Sequence, residues 1–223
     1  MNSQPDINDN TFLNILEIFH SIQGESTYAG LPCTFIRLAG CNLDCRYCDT
    51  PCAPSRGKKR SLSSIITEVT GHHCSLVEIT GGEPLLQPEL PLLITTLEGM
   101  NYTILLETNG TLSIADLPHT VIKIIDIKCP SSNEQGKTAW SNLDLLTGDD
   151  EIKFVISDRN DYLWALDIMK KYNLEKKHTV LLSPNLDTLP TAHLAGWILE
   201  DRVRARIQPQ LHKIIWPDDY EKR

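Results

Sequence analysis

The segment "CTFIRLAGCNLDCRYCDT", residues 33–50, joins an apolar run to a loop that holds three cysteines within eight positions. The run Cys33–Ala39 predicts a buried β-strand, because almost all of its side chains are apolar. The loop then presents Cys41, Cys45 and Cys48. Soft thiolates this close together in sequence are suited to binding one inorganic centre. The segment therefore predicts a strand with a metal site at its carboxyl end.

Further apolar runs alternate with segments of helical periodicity along the rest of the chain. The runs that predict strands are Leu76–Thr80, Tyr102–Glu107, Val121–Ile127, Glu151–Ile156, Thr179–Ser183 and Val203–Ile207. The segments that predict helices are Ser61–Gly71, Glu89–Gly99, Thr138–Leu146, Asp158–Tyr172 (with Asp158 as N-cap) and Thr188–Leu199. This repeat predicts an α/β fold of parallel strands with right-handed crossovers, as an open sheet or a barrel.

Glycines and polar residues follow each predicted strand at its carboxyl end. These segments are Gly40–Cys41, Gly81–Pro84, Thr108–Gly110, Lys128–Pro130, Ser157–Asp158, Pro184–Asn185 and Gln208–Gln210. In β/α barrels the loops at this edge of the strands build the active site. The arrangement therefore favours an enzyme.

Length and charge limit the other possibilities. The chain has 223 residues and a mass of 25.1 kDa, which predicts a single domain over residues 12–223 after a flexible polar tail at 1–11. A net charge of -8 argues against direct binding of nucleic acid. The longest basic run, Arg56–Arg60, is expected to form a solvated loop.

No apolar segment reaches about 18 residues, and the N-terminal residues lack the pattern of a signal peptide. We therefore expect a cytoplasmic protein with no membrane association. The chain has seven cysteines, and in a reducing compartment these are not expected to form a disulfide framework. Cys33, Cys52, Cys74 and Cys129 are expected to be buried and to act as small apolar residues.

The cysteine loop leaves three interpretations open. A zinc-binding interaction module would need a fourth ligand, which Cys52, His72, His73 or Cys74 could supply. A thiol–disulfide site is compatible with the Cys-x-x-Cys spacing of Cys45 and Cys48. An iron–sulfur cluster held by three cysteines would leave one iron open for a substrate or cofactor.

The order of the motifs resembles the radical S-adenosylmethionine (SAM) superfamily. The resemblance rests on Cys-x3-Cys-x2-Cys with Tyr47 before the last cysteine, followed after the next strand by Thr80–Pro84. It implies a [4Fe–4S] cluster on Cys41, Cys45 and Cys48, whose open iron binds SAM. The cofactor would supply the radical chemistry, while the protein would orient and shield it. The residues implied around SAM are Tyr47, Cys48, Asp49, Gly82, Glu83, Asp126, Ile127 and Lys128, with Ser183 and Asn185 as weaker candidates.

Three segments lead into the cysteine loop: Glu17–Glu25, Gly30–Pro32 and Phe35–Cys41. Together they resemble a narrower family, the 7-carboxy-7-deazaguanine synthases. This resemblance implies Mg²⁺ on Thr50 and a carboxylated pterin as substrate, which Arg37 would bind. The other residues implied at the substrate are Ile22, Gln23, Gly24, Thr80 and, near the C-terminus, His212. Without the resemblance, Arg37 could form a structural salt bridge and Thr50 could be a turn hydroxyl.

The resemblance also implies an architecture, a reaction and partners. The fold would be a reduced TIM-like β/α barrel with about six parallel strands and fewer helices than the complete form. The reaction would contract the ring of 6-carboxy-5,6,7,8-tetrahydropterin and release ammonia, in queuosine biosynthesis. A flavodoxin or ferredoxin would donate the electron, and the protein would form a homodimer. The alternative within the superfamily is a glycyl-radical activating enzyme that acts on a partner protein.

Overall fold

The computed structural model describes residues 10–51 and 57–217. Most of the predicted N-terminal tail, at 1–9, and Cys52 therefore lie outside the described residues. The strands are β1 Phe12–Ile22, β2 Pro32–Leu38, β3 Lys58–Ser61, β4 Leu76–Gly81, β5 Thr103–Thr108, β6 Ile122–Asp126, β7 Glu151–Ile156, β8 Thr179–Pro184 and β9 Arg206–Ile207. The helices are α1 Leu62–Gly71, α2 Leu90–Gly99, α3 Arg159–Tyr172, α4 Leu174–Lys177, α5 Thr191–Glu200 and α6 Leu211–Ile215.

The described strands form one sheet in the order β3-β1-β2-β4-β5-β6-β7-β8-β9. From β2 through β9 along this order every neighbouring pair is parallel, which gives seven parallel strands where about six were expected. The strands β1 and β3 extend the sheet in antiparallel pairing. Because β3 and β9 are its edges, the sheet is open, and the predicted partial barrel is confirmed.

Two predicted helices begin where their capping residues place them. The Ser61 side chain accepts a hydrogen bond from the Ser64 amide at the start of α1, and Asp158 accepts one from the Asp161 amide at the start of α3. Each cap satisfies an amide that has no partner within the helix. The crossovers from β5 to β6 and from β6 to β7 contain no α-helix among the described residues. This absence confirms the expectation of a barrel with fewer helices.

Four parts of the sequence fold differently from their prediction. The strand β1 was missed, because a bulge between Ile15 and Glu17 interrupts its alternation of buried and exposed side chains. Lys58–Ser61 is the edge strand β3 and not a solvated loop; its charged residues suit an exposed edge. The predicted helix Thr138–Leu146 contains only a 3₁₀ turn at Trp140–Asp144. The predicted strand Val203–Ile207 is reduced to Arg206–Ile207.

The two faces of the sheet carry different residues. The outer face packs against the helices through aliphatic and aromatic side chains such as Ile36, Ile79 and Phe154. We call the opposite face the inner face; it has a small apolar cluster of Cys33, Phe35, Leu76, Leu105 and Ile124, and beside it a set of charged side chains. Strand alternation produces the division, because successive side chains point to opposite faces.

The remaining cysteines follow their prediction only in part. Cys33 and Cys129 are fully buried, as expected. Cys74 is only half-buried, and its thiol donates to the Pro32 carbonyl at 3.1 Å. Within the described residues no helix combines the length and the apolar character required to cross a bilayer.

Candidate active site

The cysteine loop follows β2 and is anchored to the segment after β6. The Asp44 amide donates to Glu134 Oε1 at 2.9 Å, and the Arg46 amide donates to the Ser132 carbonyl at 3.1 Å. These bonds hold the loop across the carboxyl edge of the sheet. Cys41, Cys45 and Cys48 are all free thiols, and none of them is fully buried. The loop is thus positioned as the sequence predicts, with its sulfur atoms unpaired.

The thiols interact electrostatically with one another. The pKa of Cys45 is raised to about 11, chiefly by burial; Lys128 opposes this shift, whereas Asp126 and the neighbouring Cys48 and Cys41 thiolates contribute to it. Burial also raises the pKa of Cys48. Because a metal binds the thiolate form, proton release from these groups accompanies cluster binding. No group of three His, Cys, Asp or Glu side chains in the described part of the chain is already arranged around a single metal position. Ligation therefore requires the cysteine side chains to turn toward a common centre.

The turn after β4 packs directly on the start of the cysteine loop. The Gly82 amide donates to the Leu38 carbonyl at 3.1 Å, and the Glu83 amide donates to the Gly40 carbonyl at 2.7 Å. A Cβ atom at Gly82 would lie 2.0 Å from the Gly40 oxygen, so this approach requires glycine. The two glycine turns therefore form one unit beside Cys41.

Glu83 is fully buried and joins three loops. Its carboxylate accepts hydrogen bonds from Thr108 Oγ1 at 2.8 Å and from the amides of Asn109 at 2.8 Å and Leu85 at 3.0 Å. Burial raises the pKa of this carboxyl, although the three hydrogen bonds oppose the shift. The structure therefore gives Glu83 a positioning role at the strand ends. Its predicted contact with the cofactor stays a prediction.

The predicted cofactor residues after β6 contain buried polar atoms that lack partners. Lys128 Nζ contacts Asp126 Oδ2 at 2.8 Å. Asp126 Oδ1 and the Tyr47 hydroxyl are buried, and neither has a hydrogen-bond partner among the described residues. Unsatisfied buried polar atoms are costly unless a ligand completes them. Ile127 is fully buried, so only its backbone is available to a ligand.

The weaker cofactor candidates lie at the end of β8 and directly after it. Ser183 is buried at 1% exposure. Asn185 Nδ2 donates to Ser157 Oγ at 3.2 Å, which ties the loop after β8 to the loop after β7. Both residues are at the same carboxyl edge as the cysteine loop. Their contact with a cofactor stays a prediction.

Arg37 on β2 reaches the last residue of the cysteine motif. Its Nε donates to Glu17 Oε1 at 2.8 Å, and its Nη1 donates to Thr50 Oγ1 at 3.4 Å. Thr50 Oγ1 in turn donates to Asp49 Oδ1 at 3.2 Å. Arg37 therefore also forms a structural salt bridge, which was the alternative to its predicted contact with the substrate. Burial opposes ionisation of Asp49, but Arg37 and Lys153 more than offset this effect and hold its pKa below the ordinary value.

The residues after β1 form a loop across the inner face. Gln23 is buried, and its amide nitrogen donates to Glu78 Oε2 while its Oε1 accepts from the Glu25 amide at 3.0 Å. Ile22, at the end of β1, is half-buried. This loop brings Gln23 and Gly24, predicted at the substrate, against strands that are distant in sequence.

His212 packs against Gly24. A Cβ atom at Gly24 would lie 2.2 Å from His212 Nδ1, and the Leu211 amide donates to the Gly24 carbonyl at 2.9 Å. Burial lowers the pKa of His212, which favours the neutral imidazole. The helix α6 therefore covers the loop after β1, and the structure brings together two predicted substrate segments from opposite ends of the described chain.

The sequence interpretation missed Lys153, which lies at the centre of a charged group on the inner face. Lys153 Nζ on β7 lies 2.8 Å from Glu25 Oε2, 2.5 Å from Glu107 Oε1 and 3.6 Å from Asp126 Oδ2. Thr80 Oγ1 donates to Glu107 Oε2 at 3.0 Å. The signal was the same as for Arg37, because a charged residue inside an apolar strand requires a partner.

The alternative zinc site is not formed by the residues proposed for it. His72, His73 and Cys74 lie just before β4, whereas the cysteine loop follows β2. Since β2 and β4 are parallel, these two segments are at opposite edges of the sheet. Three of the four candidate fourth ligands are therefore excluded by the topology, and Cys52 lies outside the described residues.

Comparison with known proteins agrees with this arrangement. The family model described as "Radical SAM superfamily" matches residues 35–191. The 7-carboxy-7-deazaguanine synthase of Koribacter versatilis is 44% identical over 219 residues, covering 92% of this chain and 97% of the relative. The synthase of the same name from Chlorobaculum tepidum is 41% identical, with 93% and 96% covered.

The chain belongs to the 7-carboxy-7-deazaguanine synthase family of radical SAM proteins. The crystal structure of QueE from Escherichia coli is similar in fold, with a TM-score of 0.76 at 22% identity, covering 90% of this chain and 95% of that one. Streptococcus suis SuiB bound to S-adenosylmethionine shares the fold more distantly, with a TM-score of 0.51 at 14% identity over 76% of this chain and 44% of that one.

The cofactors of this radical SAM family are a [4Fe–4S] cluster and SAM. The donor set fits the cluster, because three free thiols on one loop are the ligands that iron prefers. The unsatisfied Tyr47 hydroxyl and Asp126 Oδ1 fit a polar ligand bound beside that loop. The sites at which the family cofactors bind are thus compatible with the described residues.

Proposed function

We propose that this chain catalyses the radical-mediated ring contraction of 6-carboxy-5,6,7,8-tetrahydropterin to 7-carboxy-7-deazaguanine, with release of ammonia. The relatives named 7-carboxy-7-deazaguanine synthase support this reaction, because the alignments extend over nearly the whole of both chains. A glycyl-radical activating enzyme or a zinc module finds no comparable support. The reaction assigns a carboxylated pterin as the small-molecule substrate.

The observation that carries the proposal is the contact between Arg37 Nη1 and Thr50 Oγ1, at 3.4 Å. A guanidinium can bind a substrate carboxylate through two parallel hydrogen bonds. Thr50 Oγ1 and Asp49 beside it offer hard oxygen donors of the kind that Mg²⁺ prefers. The pair therefore combines a carboxylate-binding cation with a candidate magnesium ligand, immediately after the last cluster cysteine.

The chain's own residues would bind and enclose the reactants. When bound, the cluster and SAM supply one-electron chemistry that abstracts a hydrogen atom. Tyr47, Asp126 and Lys128 would orient SAM, and the backbone at Gly82 would allow it to approach. Arg37 would hold the substrate carboxylate, while Ile22, Gln23, Gly24, Thr80 and His212 would surround the ring. The cover formed by α6 on Gly24 would exclude water from the site.

Anaerobic reconstitution tests the reaction. Protein loaded with iron and sulfide, then incubated with the carboxypterin, SAM, Mg²⁺ and dithionite, should form 7-carboxy-7-deazaguanine and ammonia, measured by mass spectrometry and an ammonia assay. A brown protein that forms no deazapurine but generates a glycyl radical on a partner would support the other radical enzyme. A colourless protein that retains one zinc would overturn the radical reaction altogether.

A threonine substitution tests the magnesium site. Thr50→Val replaces the hydroxyl by a methyl group and keeps the shape of the side chain. Because one oxygen ligand is lost, the Mg²⁺ concentration for half-maximal activity should rise about tenfold or more. Thr111→Val, on a loop hydroxyl that contacts Asn109, is the matched control and should leave the Mg²⁺ requirement unchanged. An unaltered Mg²⁺ requirement in Thr50→Val would return Thr50 to the role of a turn hydroxyl.

The partners follow from the same chemistry. Radical SAM catalysis requires an external electron donor, and we expect a flavodoxin or a ferredoxin because their reduced forms can reach low potentials. Replacement of dithionite by each purified donor with its reductase identifies which one supports turnover. The homodimer stays a prediction, which light scattering of the reconstituted protein would check.

A further inference from the structure

In the charged group on the inner face, the Lys153 ammonium is less exposed than the carboxylates that bind it. Lys153 is 5% exposed, whereas the Glu25 and Glu107 side chains are 19% and 25% exposed. Both carboxylates bind the Lys153 ammonium, and each also has a second neighbour: Gln210 Nε2 donates to Glu25 Oε1 at 3.0 Å, and Thr80 donates to Glu107. The two carboxylates are therefore fixed in position, and they are more open to a ligand than the lysine is.

The group contains more carboxylates than cations. Lys153 forms salt bridges with Glu25, Glu107 and Asp126, and within the described ranges the salt bridge of Lys128 is with Asp126. Glu78 is in the same layer, and burial together with the charges of Glu107 and Glu25 raises its pKa to about 8. A ligand that supplies N–H donors would offset the excess of acceptors, whereas one that supplies carbonyl oxygens would be repelled.

A separate observation shows that this layer is incomplete. Asp126 is 7% exposed, and its Oδ1 is buried with no hydrogen-bond partner in the described ranges. Its other oxygen is the one that contacts Lys128 and Lys153. A buried acceptor without a partner marks a position where a ligand group completes the hydrogen bonding. Because Asp126 is the residue proposed to orient SAM, this atom marks the cofactor end of the layer, and Glu25 and Glu107, which share Lys153 with Asp126, remain as acceptors for the substrate.

The chemistry of the ligand follows from these acceptors. A pterin carries a 2-amino group next to a ring N–H, so one edge presents several N–H donors in a plane. A carboxylate can accept two of these donors in parallel, as it does from a guanidinium. The carboxyl group of the substrate is at the other end of the ring system, which suits Arg37.

We propose that Glu25 and Glu107, held in place by Lys153, bind the amino and N–H edge of the substrate's pyrimidinone ring and select a 2-amino over a 2-oxo ring. This assignment rests on the proposed function, since it takes the pterin as the substrate. Glu25 and Glu107 contact the ring, and Lys153 is a positioning residue. The binding site then has acceptors at one end and the Arg37 guanidinium at the other.

A pair of unreactive ligands tests the selection. 6-Carboxypterin and 6-carboxylumazine have the same carboxylate but differ at position 2, where lumazine has a carbonyl oxygen. Their dissociation constants for the reconstituted holoenzyme, with SAM and without reductant, are measured by fluorescence titration. The wild type should bind the pterin at least about tenfold more tightly. Equal binding of the two ligands by an enzyme that forms product would overturn the inference.

Substitution of Glu107 tests which residue makes the selection. Glu107→Gln replaces one acceptor by an amide that can donate to the lumazine carbonyl, so the pterin preference should fall about tenfold or reverse. Arg37→Gln should weaken the binding of both ligands by the same factor and leave the ratio of their dissociation constants unchanged. Asp167→Asn, on the exposed surface of α3, should change neither dissociation constant. If Glu107→Gln does not fold, Glu25→Gln provides the same test. An unchanged ratio in the folded variant would overturn the inference.

Lys153 has its own test. Lys153→Arg keeps the cation and should retain most of the pterin preference, whereas Lys153→Met should lose it even where the circular dichroism spectrum is unchanged. Loss of the preference in both variants would show that Lys153 does not act through its charge. Failure of the wild type to form 7-carboxy-7-deazaguanine would refute the proposed function instead, which distinguishes the two failures.

Discussion

The two faces of the central sheet are built from the same strands but have opposite chemistry. On β7, Ile152, Phe154 and Ile156 are fully buried in the outer core, while Lys153 between them is bound to carboxylates on the inner face. The outer face obtains its stability from apolar burial. The inner face places charges where burial makes them costly unless they are paired. The comparison shows that the alternation of a strand separates the residues that hold the fold from those that we propose to bind the reactants.

The largest effect should come from the cysteine loop, which lies beyond both faces at the strand ends. Cys45→Ala removes one of the three proposed cluster ligands, so activity should fall at least about a thousandfold and iron content should drop with it. Iron analysis, the absorbance near 400 nm and product formation measure this change. The free energy of unfolding of the cluster-free protein should stay close to that of the wild type. Full iron content in the variant would contradict the assignment of this ligand.

The outer face should control stability without controlling chemistry. Phe154 is fully buried and packs edge-on against Trp164, with ring centroids 6.3 Å apart. Phe154→Ala should lower the free energy of unfolding by about 3–5 kcal/mol, measured by urea denaturation. The folded variant should keep the wild-type KM for the pterin. Leu163→Ala, at an exposed position of α3, is the control. If Phe154→Ala kept the wild-type stability but raised the KM, the outer face would serve substrate binding and not stability.

Arg37 on the inner face has two roles, because it forms a salt bridge with Glu17 and is proposed to bind the substrate carboxylate. Arg37→Gln should reduce kcat/KM about a hundredfold through KM, since a charge-assisted hydrogen bond contributes about 1.5–3 kcal/mol. Glu17→Gln breaks the 2.8 Å salt bridge but leaves the guanidinium in place. Steady-state kinetics of both variants separate the roles. Equal effects of the two substitutions would mean that Arg37 serves only the salt bridge.

The smallest effect concerns pH and the buried carboxyl of Glu78. Burial, followed by the charges of Glu107 and Glu25, raises its pKa from 4.5 to about 8. Between these values the folded protein keeps a proton that the unfolded chain has released, so the free energy of unfolding falls as pH rises. The slope from this group is at most about 1.4 kcal/mol per pH unit. Glu78→Gln should remove that slope.

Urea denaturation of the cluster-free protein at pH 5.5, 6.5 and 7.5 measures the Glu78 effect. The stability of Glu78→Gln relative to the wild type should increase at each step upward in pH. Asp167→Asn should run parallel to the wild type over the same range. A difference that stays constant with pH would show that Glu78 is already ionised in the folded protein.

The apolar half of the fold was predictable from the sequence. The predicted strand at Glu151–Ile156 coincides with β7, and the Asp158 cap begins α3, because continuous apolar runs and capping side chains are local signals. The strand β1 was not predictable in this way, since its bulge shifts the alternation. The charged edge strand β3 lacks an apolar pattern altogether, because an edge strand can leave its side chains in water.

The site was predictable only where its residues follow a recognisable motif. Cys41, Cys45 and Cys48 lie on one short loop and Gly81–Pro84 form one turn, and each segment resembles a family pattern. The group around Lys153 is different, because its contact with Glu25 joins positions 128 residues apart. Pairings of that kind depend on which strands become neighbours, and a single sequence does not specify this. Lys153 could have been flagged as a charge in a buried strand, but its partners could not have been named.

The contact between Gly24 and His212 has a consequence for the order in which the enzyme becomes functional. The loop after β1 is synthesised early, while α6 follows all nine described strands. A nascent chain can therefore pair its strands before the residues that cover Gly24 have left the ribosome. During synthesis the cysteine loop is thus complete before α6 can cover the loop after β1.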